Sequence, residues 1–184
     1  AAHESAGLQV QLLPDRVQLF HLHDGYFGVS GDNKLFIRTQ NGVRAKVSSW
    51  RRISSDSLIP HAKASGQYLN SILAKIESHK AGYEEAILLD DHGFVCEGSG
   101  ENIFMVREGT IYTPPQTAGI LDGINRKSCI QIARDLGFEV VERNLARAEL
   151  YLADELFMTG TAAELVPVRE VDDHAVATGK PGEI

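Results

Sequence analysis

The sequence predicts an α+β fold, because its predicted strands outnumber its predicted helices and do not alternate with them regularly. A doubly wound parallel sheet would need a helix after almost every strand. Short apolar stretches broken by turn residues are typical of strands, and the N-terminal part has such breaks at Gly25, Gly28, Gly31 and Asp32-Asn33. Strands are therefore predicted in this part and just after it, at Leu8–Leu13, Val17–Leu22, Lys34–Arg38 and Val43–Trp50.

Two longer segments have apolar residues at helical spacing. The first extends from Gly66 to Ala81 and is followed by Gly82, a residue type that favours the backbone conformation in which helices end. The second extends from about Ile124 to Leu136, with Gly137 at its C-terminus. The apolar residues that define the first helix are Tyr68, Leu69, Ile72, Leu73 and Ile76.

The remaining predicted elements are short, and most of them are strands. Turn residues such as Asp91-His92-Gly93 and Gly98-Ser99-Gly100 separate them. One short helix is predicted at Arg147–Leu152. The strands are predicted at Glu85–Asp90, Phe94–Glu97, Asn102–Arg107, Thr110–Thr113, Phe138–Arg143, Glu155–Met158 and Pro167–Val171.

The composition excludes several classes of partner. The net charge is -7 and acidic and basic residues are interspersed, so nucleic acid is not an expected partner. No apolar run reaches the ~20 residues that a membrane-spanning helix needs, so we expect no membrane partner. Cys96 and Cys129 form neither a disulfide framework nor a metal-binding pattern, which predicts no metal site and a reducing, cytoplasmic setting.

The segment Pro60–Tyr68 contains the first candidate for chemistry. Lys63 stands among the small residues Ala62, Ala64 and Ser65, just before the first predicted helix. Small neighbours let a bulky planar group approach, and a lysine held there can act as a nucleophile or as a base. The other interpretation is a lysine at a helix start that has no chemical role.

The segment Glu97–Asn102 is the second candidate, with two glycines around a turn and acidic residues on both sides. Glu97 ends the apolar strand Phe94–Glu97, so its carboxylate is expected to be partly buried and to need a partner. The protonated ring nitrogen of a ligand would be such a partner. A plain hairpin turn with solvated acidic residues is the alternative.

Two further segments suit an anion. In Leu121–Arg126 a glycine turn leads directly into a helix, whose first N–H groups attract phosphate and to which Asn125 could add a donor. Asp122 could equally be an ordinary N-cap of that helix. In Thr159–Glu164 two hydroxyl groups and several small residues follow an apolar strand, which suits a phosphate or a carboxylate; a simple turn is the alternative.

Taken together and in this order, the four segments resemble class IV aminotransferases, the fold type IV pyridoxal-phosphate enzymes, and among these the branched-chain amino acid aminotransferases. The resemblance covers roughly Val43 to Ile184. It implies the large domain of this fold, a strand-rich pseudo-barrel with flanking helices, and the cofactor pyridoxal 5'-phosphate. The matching stretches are Val47–Arg52, Ala62–Ser71, Glu97–Phe104 and Phe157–Glu164.

The resemblance also implies a role for each matched residue. Lys63 matches the catalytic lysine that forms a Schiff base with the cofactor and later moves the proton. Glu97 matches the carboxylate that keeps the pyridine nitrogen protonated, so that the ring can act as an electron sink. Tyr68 matches a tyrosine near the phenolic oxygen of the cofactor. The other implied contacts are Leu121 beside the ring, Ile124, Asn125 and Thr161 at the phosphate, and Gly160, Thr161 and Ala162 at the substrate carboxylate.

The chain departs from the family pattern in two respects. Asn125 stands where the family usually has threonine, although asparagine can still donate a hydrogen bond. Residues 1–40 match weakly, and we predict that they are the tail of a smaller N-terminal domain, mostly absent, with an interdomain segment. Residues 41–184 are predicted to be the cofactor-binding large domain, truncated at its C-terminus.

The predicted function is transfer of the amino group from a branched-chain L-amino acid to 2-oxoglutarate, by a homodimer or a larger homo-oligomer. D-amino acid aminotransferases and aminodeoxychorismate lyases use the same lysine and glutamate, so both activities stay open. A third alternative is a non-catalytic chain that lacks half of the substrate pocket and folds only with a partner.

Overall fold

The computed structural model describes the backbone of residues 10–12, 18–22, 25–29 and 35–39, and residues 42–161 and 163–182. The chain divides into two compact units, Ala1–Asn41 and Gly42–Ile184. The first unit contains the strands β1 (Val10–Leu12), β2 (Gln18–Leu22), β3 (Gly25–Val29) and β4 (Leu35–Thr39). They form an antiparallel sheet in the order β1-β2-β3-β4.

The strand β3 contradicts the sequence prediction, in which Gly25 and Gly28 interrupt the strands. Both glycines are paired with residues of β2 and of β4. Glycine weakens a strand but keeps its backbone donor and acceptor, and the intervening Tyr26 and Phe27 belong to the residue types that favour strands. The four strands therefore form one meander.

The described part of the second unit contains nine strands, two α-helices and three short 3-10 helices. The 3-10 helices are Ser65–Gln67, Gln116–Ala118 and Arg147–Leu152. The other elements, in chain order, are β5 (Val43–Arg51), α1 (Tyr68–Lys80), β6 (Glu85–Leu89), β7 (Val95–Gly98), β8 (Asn102–Arg107), β9 (Thr110–Thr113), α2 (Ile124–Asp135), β10 (Glu139–Glu142), β11 (Glu155–Gly160), β12 (Glu164–Val171) and β13 (His174–Ala175).

Six of these strands close into a ring. Their order is β8-β11-β12-β5-β6-β7, and β7 pairs again with β8 through Glu97 and Asn102. The pairs of β5 with β6 and with β12 are parallel, and the other pairs in the ring are antiparallel. β9 and β10 extend the sheet beyond β8. This strand-rich, barrel-like sheet with few helices confirms the predicted α+β fold.

The main core lies on the inner face of the ring. Alternate residues of the strands contribute to it, as with Ile87 and Leu89 on β6 or Ile103 and Met105 on β8. Residues of the opposite strand face contact the helices: Ala86 and Leu88 pack against Ala74 of α1. Another cluster joins α2 to β8, β9 and β11 and consists of Phe104, Val106, Ile111, Ile130 and Phe157. Both helices therefore cover the outside of the barrel.

The helix α1 forms where apolar spacing predicts a helix, but small residues make its buried face. Ser71, Ala74 and Ser78 are buried, whereas Leu69 and Ile72 are 63% and 51% exposed. Small side chains let the helix lie close to β6, and this is a requirement that apolar periodicity does not reveal. Among the helices that the structure describes, none combines the length and the apolar character needed to cross a membrane.

Replacing Ala74 by leucine should destabilise the protein by about 1–3 kcal/mol, because Ala74 is fully buried against β6 and the larger side chain would overpack that contact. Ile72→Ala on the same helix is the control and should cost less than about 1 kcal/mol, since half of that side chain is exposed. Urea unfolding of both variants measures the difference. Equal costs would mean that the packing of α1 on β6 is not close.

Candidate active site

A cavity of about 240 Å³ opens in the second unit. Its walls come from the loop before α1, the turn between β7 and β8, the loop and first residues of α2, and the end of β11. Ala162 lies outside the described residues. The other residues predicted for the site all line this cavity, namely Lys63, Tyr68, Glu97, Leu121, Ile124, Asn125, Gly160 and Thr161.

A buried ion pair forms one wall of the cavity. Glu97, on β7, is 5% exposed, and its Oε1 lies 2.8 Å from a guanidinium nitrogen of Arg52. Arg52 is also buried and donates a further hydrogen bond from Nε to the carbonyl oxygen of Gly119 (3.2 Å). A buried carboxylate needs such a partner. The alternative of a turn with solvated acidic residues is therefore wrong for Glu97.

Two more donors hold the second carboxylate oxygen of Glu97. The Leu121 backbone N–H donates to Oε2 at 2.9 Å, and the Asn102 side-chain amide donates to it at 3.1 Å. The same Asn102 amide also donates to the carbonyl oxygen of Leu121 (2.9 Å). The carboxylate is thus fixed in orientation by groups from three different segments of the chain.

The surroundings of Glu97 act on its charge in opposite directions. Burial raises the pKa of the Glu97 carboxyl above its ordinary value, while the Arg52 guanidinium and the Leu121 N–H oppose that rise. A cationic group of a ligand beside Glu97 would also lower the pKa of this carboxyl. The site is therefore suited to a ligand that presents a protonated ring nitrogen to this wall.

The loop that carries Lys63 is held from both sides while Lys63 itself is exposed to the cavity. Upstream, His61 Nδ1 lies 3.0 Å from the carbonyl oxygen of Ile120. Downstream, the buried Gln67 donates from Nε2 to the carbonyl oxygen of Ile59 (2.7 Å). The two neighbours of Lys63, Ala62 and Ala64, are small and exposed, which leaves Nζ of Lys63 accessible to a planar group.

The start of α2 faces the same cavity with its backbone N–H groups uncapped by a side chain. The N-cap is Gly123, and Asp122 forms a salt bridge with Lys127 instead (2.5 Å), so the alternative of Asp122 as N-cap is wrong. Asn125 donates from Nδ2 to the carbonyl oxygen of Gly160 at 2.8 Å. This bond joins the start of α2 to the end of β11, and one amide hydrogen of Asn125 remains for a ligand.

Gly123 is required by the close approach of another side chain. A β-carbon at this position would lie 2.2 Å from Asn102 Oδ1, well inside van der Waals contact. Asn102 cannot easily move away, because its amide is engaged with both Glu97 and Leu121. The glycine therefore lets the loop before α2 reach the carboxylate wall.

Sequence reasoning missed two residues of the site, Arg52 and Asn102. Arg52 follows another arginine, and the pattern does not show that Arg51 is exposed while Arg52 is buried. Asn102 belongs to the candidate segment Glu97–Asn102, but the sequence assigned no role to its side chain. Its role depends on contacts with Leu121, which is far away in sequence.

The cavity can therefore hold a flat ligand that is cationic at one end and anionic at the other. Glu97 accepts from the cationic end, and the uncapped N–H groups of α2 with the hydroxyl of Thr161 suit the anionic end. Lys63 reaches the same space with a nucleophilic amine.

Known proteins resemble this chain over most of its length. The branched-chain-amino-acid aminotransferase of Escherichia coli (strain K12) is 48% identical over 145 residues, which are 79% of this chain and 47% of that protein. The crystal structure of an Escherichia coli branched-chain amino acid aminotransferase matches with a TM-score of 0.78 and 38% identity, covering 86% of this chain and 61% of that one. The structure of the T.th. enzyme complexed with N-(5'-phosphopyridoxyl)-L-glutamate matches with a TM-score of 0.77 and 38% identity, covering 91% and 60% of the two chains.

These likenesses define a barrel-like fold shared with aminotransferases. A sequence model of the amino-transferase class IV family matches residues 31–171, and the chain belongs to this family. The predicted resemblance is thereby confirmed. The chain spans about half the length of the curated relatives that it matches.

Replacing Arg52 by leucine should cost about 3–5 kcal/mol of unfolding free energy, because it leaves the buried Glu97 charge without its cation. Arg51→Leu is a matched control one residue away, and its exposed position predicts a change within about 0.5 kcal/mol. Denaturant unfolding of the two variants tests this. If both variants had the wild-type stability, the ion pair would not anchor this wall.

Gly123→Ala should weaken the carboxylate wall, because the added methyl group overlaps Asn102 Oδ1. We expect a loss of about 1–3 kcal/mol in stability, as for other overpacked sites. The control is Gly66→Ala, since a β-carbon there meets no atom within 4 Å. A thermal unfolding series compares the two, and a neutral Gly123→Ala would contradict the close approach.

Proposed function

We propose that this chain is the cofactor-binding part of a pyridoxal-phosphate aminotransferase. The proposed reaction transfers the amino group of a branched-chain L-amino acid to 2-oxoglutarate. The observation that carries the proposal is the convergence of Lys63, the paired carboxylate of Glu97, and the start of α2 on one cavity in a chain of the class IV family. Each group alone has an ordinary structural explanation, but their convergence does not.

The residues present fit pyridoxal 5'-phosphate. The buried Glu97 suits the pyridinium nitrogen, and its two oxygens are already oriented by protein donors. Because the N-cap residue of α2 is Gly123, no side chain caps the helix, and the N–H groups of Ile124 and Asn125 are available to the phosphate. Thr161 adds a hydroxyl group at the same end of the cavity. Leu121 and Tyr68 line the cavity between these groups.

When bound, the cofactor supplies an electron sink that stabilises negative charge at the substrate α-carbon. The protein supplies the rest. Lys63 is proposed to hold the cofactor covalently through Nζ and, once released, to accept and return a proton at the same atom. Glu97, balanced by Arg52, is proposed to keep the ring nitrogen protonated. The turn from Gly160 through Ala162 is proposed to receive the substrate carboxylate.

The substrate assignment is supported by the relatives. Those found by sequence are named as branched-chain aminotransferases, and the T.th. structure contains a phosphopyridoxyl adduct of L-glutamate, which fits glutamate and 2-oxoglutarate as the second pair. The chain spans only about half of these relatives, so a cofactor-binding chain without turnover is a second candidate. D-amino acid transamination and the lyase reaction lack a comparable supporting observation.

The remaining assignments are parts of the same proposal. Residues 41–184 are proposed as the large domain and residues 1–40 as the tail of a smaller one. A homodimer or larger homo-oligomer is proposed, and size measurement by native mass spectrometry tests it. The two free cysteines, Cys96 and Cys129, support a reducing compartment such as the cytoplasm.

Lys63→Ala should abolish covalent binding of pyridoxal 5'-phosphate, because it removes the amine that reaches the cavity. We expect the wild-type chain to develop a visible absorption band with the cofactor, and borohydride followed by peptide mapping to place the label on Lys63. Lys80→Ala, at the exposed end of α1, is the control and should label like the wild type. Label spread over surface lysines would contradict the assignment.

Turnover then separates the two candidate functions. L-leucine or L-valine with 2-oxoglutarate should give glutamate with the wild-type chain and none with Lys63→Ala, and D-leucine serves as the stereochemical control. Cofactor trapped on Lys63 without any glutamate formation would favour the non-catalytic candidate.

A further inference from the structure

The carbonyl oxygen of Ile120 is held by the ring of His61, whose Nδ1 lies 3.0 Å away. Ile120 is buried, and a buried carbonyl group needs a hydrogen-bond donor. Because a carbonyl oxygen only accepts, the ring hydrogen in this bond must be on Nδ1 of His61. His61 itself is exposed, lines the cavity and stands two residues before Lys63. Its ring therefore ties the lysine loop to the segment before α2.

The peptide group that His61 holds also connects it to Glu97. The carbonyl oxygen of Ile120 and the N–H of Leu121 belong to one peptide bond, which is trans. The two groups therefore point in opposite directions, and the Leu121 N–H donates to Glu97 Oε2 at 2.9 Å. An N–H becomes a stronger donor when the carbonyl of its own peptide group accepts a hydrogen bond. The bond from His61 thus strengthens the bond that Glu97 accepts.

The carbonyl groups on either side are held in a related way. The Gly119 oxygen accepts from Arg52 Nε (3.2 Å), and the Leu121 oxygen accepts from the Asn102 amide (2.9 Å). Both of these donors also bind the carboxylate of Glu97. Three successive carbonyl groups are thus bound by side chains connected with the carboxylate wall. The two outer donors reach the carboxylate directly, and the middle one reaches it through a peptide group.

We propose that His61 is a positioning residue, which orients the Glu97 carboxylate through the Ile120–Leu121 peptide group and so couples the loop of Lys63 to the wall that receives the cofactor ring. The inference deepens the proposed function and rests on it, because it concerns how that site holds its cofactor. Nδ1 donates in the neutral ring and in the protonated ring alike, so the link is kept in both.

The link bears on the charge of the carboxylate wall. The Leu121 N–H opposes the rise in the pKa of Glu97 that burial causes. A weaker bond from this N–H would oppose that rise less, and the carboxylate would be less able to keep a ring nitrogen protonated. Loss of the His61 donor should therefore be felt at the cofactor ring without any contact between His61 and the ring.

Two variants of His61 separate the hydrogen bond from the bulk of the side chain. His61→Asn keeps a nitrogen donor bonded to Cγ, as Nδ1 is, whereas His61→Leu has a methyl group there. The position is exposed, so both variants should keep a stability close to that of the wild type. His92→Leu is the control, because this side chain is 77% exposed in the turn after β6.

The chain without cofactor gives the first test. Hydrogen exchange at the Leu121 N–H, followed by NMR, should be about fivefold faster in His61→Leu than in the wild type, because one hydrogen bond is weakened. His61→Asn and His92→Leu should exchange at nearly the wild-type rate. An unchanged rate at Leu121 in His61→Leu would overturn the coupling.

A measurement on the wild-type chain needs no variant. Nitrogen-15 NMR at about pH 9, where imidazole rings are neutral, should place the ring hydrogen of His61 on Nδ1. The other tautomer would leave two acceptors facing each other at the Ile120 carbonyl group. That result would overturn the proposal even if His61→Leu failed to fold.

Cofactor affinity tests what the link does in the site. The affinity for pyridoxal 5'-phosphate should fall about fivefold in His61→Leu and stay within about twofold of the wild type in His61→Asn. The carbocyclic analogue, in which a carbon atom replaces the ring nitrogen, has no N–H to donate to Glu97. Its affinity should be nearly the same for the wild type and both variants. An equal loss with both compounds would mean that His61 only shapes the lysine loop, and would overturn its role at Glu97.

The two proposals fail in distinguishable ways. Absence of cofactor binding by the wild type and by both His61 variants would contradict the proposed function, while the exchange rates at Leu121 would still decide whether His61 acts on Glu97. Cofactor binding by His61→Leu with the wild-type affinity would leave the proposed function intact and overturn this inference alone.

Discussion

The buried ion pair between Glu97 and Arg52 is the interaction on which the rest of the second unit depends. It joins the end of β5 to β7, and the second oxygen of Glu97 extends the link to β8 and to the loop before α2. A buried charge without its partner is strongly destabilising. The need to pair the buried charge of Glu97 therefore keeps these four segments in contact. The same requirement leaves an oriented carboxylate facing the cavity, ready for a cationic ligand group.

Closure of the barrel and formation of the cavity are consequences of one structural feature, the turn between β7 and β8. The ring closes through the pair Glu97 and Asn102, and Ser99, Gly100 and Glu101 between them line the cavity. Glycine is needed where other segments approach this region. A β-carbon at Gly123 would meet Asn102, and one at Gly160 would come within 3.0 Å of the Gly100 carbonyl oxygen. Glycine at positions 123 and 160 is therefore required both by the packing of the fold and by the shape of the cavity.

Two glutamates four residues apart have different electrostatic neighbours. Burial raises the pKa of both carboxyl groups; the Arg52 guanidinium and the Leu121 N–H oppose that rise at Glu97, whereas the charge of Glu85 adds to it at Glu101. Glu97 therefore has a guanidinium partner that Glu101 lacks, and this difference suits the wall at Glu97 to a cationic ligand group.

The sequence by itself determined most element types and predicted eight of the residues that line the cavity. Local patterns were sufficient for α1, α2 and the strands β5 to β9, because turn residues and apolar spacing act over a few residues. Lys63, Glu97 and Asn125 were predicted from short motifs. Only the tertiary structure decided that Arg52 and not Arg51 is buried, that small residues of α1 face the core, and that Glu85 binds Ser99 of the turn between β7 and β8. These depend on contacts between distant segments, whose geometry no local pattern encodes.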